Sequence, residues 1–411
     1  MEYGLIGEHL AHSFSPEIHA GFGDYDYVLC ELNPTQVEPF LKERNFKGIN
    51  VTIPYKETVM PYLDKIDDSA KAIGSVNTIV NANGKLVGYN TDYYGFSYML
   101  KSGKIEIKDK VVAVLGSGGA SKTAVAVTRD LGAKEVLVIS RRGMLNYETI
   151  KERKDIEIII NASPVGMYPN NGKCLVNLDD FPLLTAVADM VYNPAITEIM
   201  YQAKAKKLKT VGGLAMLVAQ GRRASEIFTG KKIAEEKCLS VIKSVKNQTC
   251  NVLLVGMPGC GKTSVGKEIA SILNREFVDL DTEFEKQYKI SPAQCILGDG
   301  EDEFRKKESE LIKSVCKRSK LVISTGGGAV LLEENRKVMK SNSVVVYLKR
   351  ALELLSKKGR PLSNGENTLK DLYQKRNELY QEVSDFSIEN ETSVKDCAMK
   401  IVTEIKGGET L

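Results

Sequence analysis

Residues 256–263 read GMPGCGKT and match G-x-x-x-x-G-K-[ST], between the apolar run NVLLV and the amphipathic stretch SVGKEIASIL. Such a loop brings backbone N–H groups against phosphates. Gly256, Gly259, Cys260, Gly261 and Ser264 supply the cradle, Lys262 is expected at the β- and γ-phosphates, and the Thr263 hydroxyl is expected on Mg2+. The loop fixes a nucleotide but leaves the phosphoryl acceptor open, because many families share it.

A second glycine turn, LGSGGAS at 115–121, also follows an apolar run and opens a helical pattern. Gly116, Ser117, Gly118, Gly119 and Ala120 are the candidate dinucleotide contacts, although Ser121 stands where a third glycine is usual. An NAD site carries an acid about 20 residues on, to bind the ribose 2′-hydroxyl. Here the next apolar run, EVLVIS, ends in Arg141 and Arg142. Two guanidinium groups at that point favour a 2′-phosphate, and so NADP(H).

These turns need parallel sheets to hold them. From Lys110 to Ser140 the pattern is strand, glycine turn, helix, strand, and IEIIINAS (156–163) and AVADMVY (186–192) continue it. Before Lys110, the runs YGLIG, YVLCEL and GINVTI alternate with helical stretches as a separate α/β unit. The charged segment KKIAEEKCLSVIKSVKNQTC reads as a terminal helix running into a linker; NVLLVG then opens a new α/β pattern through REFVDLD, KLVISTGGG and SVVVYLK. The expected division is a substrate-binding domain over 1–100, completed by 211–235, and a Rossmann domain over 101–210. A linker at 236–249 and a P-loop domain of nucleoside-monophosphate-kinase type with a parallel sheet, 250–411, follow.

A chain of 411 residues exceeds what one core usually supports, so several domains are expected. The net charge of +4 comes from 57 basic and 53 acidic residues without a concentrated basic stripe, which argues against nucleic acid as a partner. No apolar run reaches the length of a membrane span, and the amino terminus lacks the lysines of a signal peptide, so a soluble, cytoplasmic protein is expected. Eight scattered cysteines without a CxxC pair read as reduced thiols, with no structural zinc.

From 250 onward the sequence resembles the shikimate kinase family. The motifs are FVDLDT (277–282), GEDEFRKKE (300–308), STGGGAV (324–330), RPL (360–362) and KRNELYQEVSDF (375–386), in that family's order. The resemblance implies that Asp279 helps hold Mg2+ and that Asp281 orients and deprotonates the attacking hydroxyl. Two acids two apart at a strand end would point to opposite faces, which would let them divide these tasks. It also implies that Arg305 and Arg376 clamp the substrate carboxylate, that Gly326, Gly327 and Gly328 lie against the ring, and that Arg360 is a catalytic arginine on a lid.

Residues 1–235 resemble shikimate dehydrogenase through HSFSPEIH (12–19), GINVTIPYKE (48–57), GSVNTI (74–79), GYNTD (88–92), NASPVGM (161–167), DMVYNP (189–194) and GLAMLVAQ (213–220). By that resemblance Ser13 and Ser15 bind the substrate carboxylate, while Asn50, Thr52, Asn77 and Gln220 contact ring hydroxyls. Lys56 and Asp92 are the catalytic pair, Tyr192 borders the carboxylate and nicotinamide, and Gly213 belongs to the cofactor side. Ketone reduction needs a proton donor beside the developing alkoxide, a role that suits a lysine.

The implied protein is a fusion that reduces 3-dehydroshikimate and then phosphorylates shikimate. The alternative is an active kinase joined to a degenerate, regulatory or quinate-preferring first half. AGFGDYDY after His19 and GMLNYETIKERKD after Arg142 are shorter than that family's usual segments. Oligomeric state is open.

Overall fold

The computed structural model describes residues 1–10, 13–168, 171–355 and 366–407; Arg360 and His12 lie outside them. The chain divides into two compact units, Met1–Lys246 and Asn247–Leu411.

The first unit begins with a mixed sheet of β1 (Tyr3–Gly7), β2 (Tyr27–Glu31), β3 (Gly48–Val51), β4 (Lys65–Ile66), β5 (Thr78–Ala82) and β6 (Lys85–Tyr89), in the order β2-β1-β3-β5-β6-β4. β5 pairs antiparallel with β3 and β6, while β1 runs parallel to both β2 and β3. The β5–β6 hairpin turns on Asn83 and Gly84, both at positive φ (53° and 85°), the pair whose backbone freedom suits a two-residue turn.

A second sheet holds β7 (Val111–Leu115), β8 (Glu135–Ile139), β9 (Ile158–Asn161), β10 (Ala186–Asp189) and β11 (Lys209–Gly212), all parallel, in the order β11-β10-β9-β7-β8. Alternation along β7 sends Val111, Ala113 and Leu115 into one core and Val112 and Val114 into another, so both faces are covered. That is why these strands read as unbroken apolar runs. Strand order reverses between β8 and β9 on either side of β7, which opens a crevice at the carboxyl end of β7, where LGSGGAS begins.

The stretch read as a linker forms the helix Glu235–Thr249. Cys238, Val241 and Val245 share one face of it and are buried with Ile18, Tyr98, Val218 and Ala219. Its helical spacing gives it a core to join.

The second unit is a five-stranded parallel sheet of β12 (Asn251–Val255), β13 (Glu276–Asp279), β14 (Leu321–Ser324), β15 (Ser343–Lys349) and β16 (Phe386–Glu389), in the order β13-β14-β12-β15-β16. β12 lies at the centre and delivers GMPGCGKT to the start of the helix Lys262–Leu273. Among the described residues, no helix is long and apolar enough to cross a membrane. None of the eight cysteines is in a disulfide, and six are buried.

Candidate active sites

Lys56 and Asp92 meet. Lys56 Nζ donates to Asp92 Oδ2 at 2.6 Å, with side chains 28% and 18% exposed, so the pair is shielded yet reachable. Lys56 stands on the turn after β3, and its carbonyl accepts from Val76 N at 2.9 Å. Asp92 occupies the first turn of the helix Thr91–Ser102, where the dipole favours a carboxylate, and the Asn90 side chain caps that helix by accepting from Tyr93 N.

Beside this pair, Asn77 Oδ1 accepts from Thr91 N at 2.7 Å and from Thr78 Oγ1 at 3.0 Å. Asn50 Nδ2 donates to Thr78 Oγ1 at 3.0 Å and to Asn77 O at 3.2 Å, while Thr91 Oγ1 reaches Gln220 Oε1 at 3.4 Å. Asn50, Asn77 and Gln220 are therefore joined through Thr78 and Thr91, two residues that sequence reasoning missed although both lie in motifs it used. Ser13 Oγ donates to Ser15 Oγ at 3.0 Å. Tyr192 packs edge-on against Phe14, ring centres 5.9 Å apart, and Thr52 N donates to Ile6 O at 3.0 Å.

The dinucleotide turn fits a phosphate. Gly118 caps the helix Gly119–Asp130 without a side-chain hydrogen bond, and the space beside Gly118 and Gly119 is open, which leaves first-turn N–H groups for an anion. Ser117 and Ala120 flank these glycines, with Gly116 at the end of β7. Arg141 and Arg142 are exposed on the turn after β8, and neither forms an ion pair among the described residues. Gly213 stands so close to the Met190 carbonyl that a Cβ would strike it.

In the second unit, Gly256, Gly259 and Gly261 all adopt positive φ, which wraps the loop around the lysine side chain. Lys262 is 7% exposed; its Nζ donates to the carbonyls of Gly256 at 2.8 Å and Met257 at 3.0 Å, with no carboxylate partner among the described residues. A buried ammonium held only by dipoles is a fitting seat for an anionic phosphate. The loop residue Cys260 is fully buried, and Ser264 follows Thr263 in the helix.

Asp279 and Asp281 correct an expectation. They do not alternate along a strand: β13 ends at Asp279, and Asp281 lies in the first turn of the helix Leu280–Tyr288. Asp279 Oδ1 caps that helix by accepting from Asp281 N at 3.1 Å, while its Oδ2 accepts from Thr263 Oγ1 at 2.8 Å. The two carboxylates part because one caps a helix and the other rides on it. Thr263 and Asp279 thus present paired oxygens, a donor set suited to a hard divalent cation.

Arg305 donates to Glu308 at 2.7 Å and to Glu301 at 2.9 Å, and its guanidinium occupies the space a Cβ on Gly328 would need. A Cβ on Gly326 would meet Glu308 Oε1 at 3.0 Å and Asp281 Oδ1 at 3.3 Å. Arg376 is 8% exposed and acts on Glu308 electrostatically, and Tyr380 Oη donates to Gly327 O at 2.5 Å. Burial pushes the Glu308 carboxyl up, with Asp281 adding to it and the two arginines opposing. Asp281, Arg305, Arg376 and the triple glycine therefore converge. Glu308 and Tyr380 complete the cluster; both lie inside the kinase motifs, but a lone acid or tyrosine gave no signal of its own. Arg360 remains outside the described residues.

A mixed-sheet domain followed by a dinucleotide-binding sheet defines an oxidoreductase, and a P-loop beside an acid–arginine cluster defines a phosphotransferase. Residues 5–79 match the model of the shikimate dehydrogenase substrate binding domain, and residues 258–406 match the model of shikimate kinase. The NADP(+) shikimate dehydrogenase of Clostridium beijerinckii is 43% identical over 246 residues, which are 55% of this chain and 91% of that protein. A chorismate mutase/shikimate 5-dehydrogenase fusion from Clostridium acetobutylicum superposes with a TM-score of 0.57 at 33% identity, covering 59% of this chain and 96% of that one. Shikimate 5-dehydrogenase from Thermus thermophilus, solved with NADP(H) and shikimate, gives 0.54 at 31% identity over 59% and 99%. The chain belongs to the shikimate dehydrogenase family and carries a shikimate kinase domain behind it, a bifunctional enzyme of the shikimate pathway.

Proposed function

We propose that the first unit reduces 3-dehydroshikimate to shikimate with NADPH and that the second transfers the γ-phosphoryl group of ATP to that shikimate. The observation that carries the first step is the 2.6 Å contact of Lys56 with Asp92 beside the Asn50–Asn77–Gln220 network. The reduced dinucleotide supplies the hydride when bound. Lys56 gives the proton to the carbonyl oxygen as charge develops there, and Asp92 holds the ammonium in place and accepts from a neighbouring hydroxyl. Ser13 and Ser15 take the carboxylate, and Thr52 and Tyr192 flank the ring. The exposed, unpaired Arg141 and Arg142 support the 2′-phosphate form of the cofactor.

In the kinase step Arg305 and Arg376 bind the shikimate carboxylate while Asp281 orients the attacking hydroxyl and takes its proton. Lys262 neutralises the phosphates, and Thr263 with Asp279 would hold Mg2+, whose charge offsets that on the transferring group. Eight cysteines without a disulfide among them suit a reducing compartment, the cytoplasm. The test follows NADPH loss and ADP formation together in purified protein given 3-dehydroshikimate and ATP. Stoichiometric formation of both products is expected; ADP formation from supplied shikimate but no NADPH loss on 3-dehydroshikimate would reject the dehydrogenase assignment.

A further inference from the structure

One arginine of the second unit stands at the P-loop without a partner. Arg350 follows Lys349, the last residue of β15, and Asn390 follows Glu389, the last residue of β16. These strands run parallel with Lys349 and Glu389 in register, and Asn390 N donates to Lys349 O at 2.8 Å. Arg350 and Asn390 therefore emerge side by side at the carboxyl end of the sheet, the end at which open α/β sheets receive their ligands.

Both side chains reach Gly261 of the loop. A Cβ on Gly261 would stand 2.5 Å from Asn390 Nδ2 and 4.0 Å from a terminal nitrogen of Arg350. Asn390 serves the fold: it is 4% exposed, and its Nδ2 donates to Cys260 O at 2.7 Å, which braces the loop. Arg350 braces nothing. Its Nε is buried without a hydrogen-bond partner, and its guanidinium forms no ion pair among the described residues, whereas the neighbouring Lys349 has Glu389 at 3.8 Å. A buried guanidinium nitrogen is unfavourable until an acceptor reaches it.

Strand order indicates which part of a nucleotide supplies that acceptor. The P-loop leaves the central strand of β13-β14-β12-β15-β16. Asp281 and Gly326, on the side of the phosphoryl acceptor, follow β13 and β14, while Arg350 follows β15 on the opposite side of the loop. An arginine there stands away from the transferring group and beside the portion of ATP that remains as ADP. Its planar fork of donors matches phosphate oxygens.

We propose that Arg350 is a nucleotide-binding residue of the kinase unit, whose guanidinium holds the α-phosphate of ATP and of ADP. The proposal rests on the kinase reading above. The α-phosphate takes no part in bond making, so this contact is equally strong before and during transfer and contributes to affinity without changing turnover.

The test measures ADP binding to the full chain by isothermal titration calorimetry, together with phosphorylation of shikimate at varied ATP, for the unmutated protein, Arg350→Met and Arg350→Lys. Arg350→Met is expected to raise Kd for ADP and KM for ATP by the same factor, about tenfold, with kcat within about threefold. KM for shikimate at saturating ATP and the NADPH-dependent reduction should be unchanged. Arg350→Lys, which keeps the charge and loses the fork, should recover part of the lost affinity. An unchanged Kd for ADP would overturn the proposal. So would equal losses with methionine and lysine, which would place the guanidinium on the base, or a fall in kcat matching the rise in KM, which would place it on the transferring group. Loss of every constant together with a lowered melting temperature would assign Arg350 to the fold instead. If the unmutated chain bound ADP but failed to phosphorylate shikimate, the kinase reading would fall, a result distinct from normal ADP affinity in Arg350→Met.

Discussion

Asp189 and Asn161 face one another as register partners on adjacent strands β10 and β9, and Asn161 Nδ2 donates to Asp189 Oδ1 at 2.9 Å. Val191 N donates to the same oxygen at 3.0 Å, and Thr197 donates to the other. One buried carboxylate thus ties together the chain around NASPVGM and DMVYNP. Burial raises its pKa to about 6, against three hydrogen bonds that pull it down. A carboxyl whose folded pKa lies above its unfolded value binds more protons when folded. Its stabilising contribution is full below pH about 4 and is lost as pH rises through about 6. A rise of that size corresponds to about 3 kcal/mol. Asp189→Asn should remove that part of the slope from thermal melting of the dehydrogenase unit between about pH 4 and 6.5; an unaltered slope would contradict the assignment.

The two chemistries should separate by single substitutions, because their side chains belong to different units. Lys56→Ala should cut ketone reduction by about 10²–10⁴-fold through loss of the proton donor while phosphorylation of supplied shikimate continues. Asp281→Asn should leave reduction intact and let shikimate accumulate. An equimolar mixture of the two proteins should recover conversion to shikimate 3-phosphate, measured by product chromatography. Failure of the mixture, with each remaining activity intact, would show that shikimate does not pass freely between molecules.

Cofactor choice is expected to depend on Arg141 and Arg142. Replacing both with alanine should raise KM for NADPH about tenfold or more and leave that for NADH within about twofold, since a hydrogen bond between guanidinium and phosphate contributes about 1.5–3 kcal/mol. Equal efficiency of the unmutated enzyme with the two cofactors would rule out the 2′-phosphate role.

Gly328→Ala should act through Arg305. The new Cβ needs the space of the guanidinium, which must move from Glu308 and from the position proposed for the substrate carboxylate. Steady-state kinetics should show KM for shikimate raised about tenfold or more with KM for ATP little changed. A normal KM for shikimate would show that this arginine does not hold the carboxylate.

Local chemistry made much of this protein legible. GMPGCGKT, LGSGGAS and the apolar runs before them announced two nucleotide turns on parallel strands, because a strand buried on both faces must be continuously apolar and a phosphate turn must carry glycine. What those local rules could not give was the partner of a single polar residue. Strand alternation suggested the wrong reason for the separation of Asp279 from Asp281, since whether a chain turns helical at Leu280 depends on a cap that forms only when Asp279 meets the next two N–H groups. Glu308, Thr78 and Thr91 lie inside motifs that by themselves assigned them no role. Their significance comes from contacts between residues far apart in the chain, such as Thr91 with Gln220, and only the closed tertiary structure, by burying these groups, obliges each to find the particular partner that satisfies it.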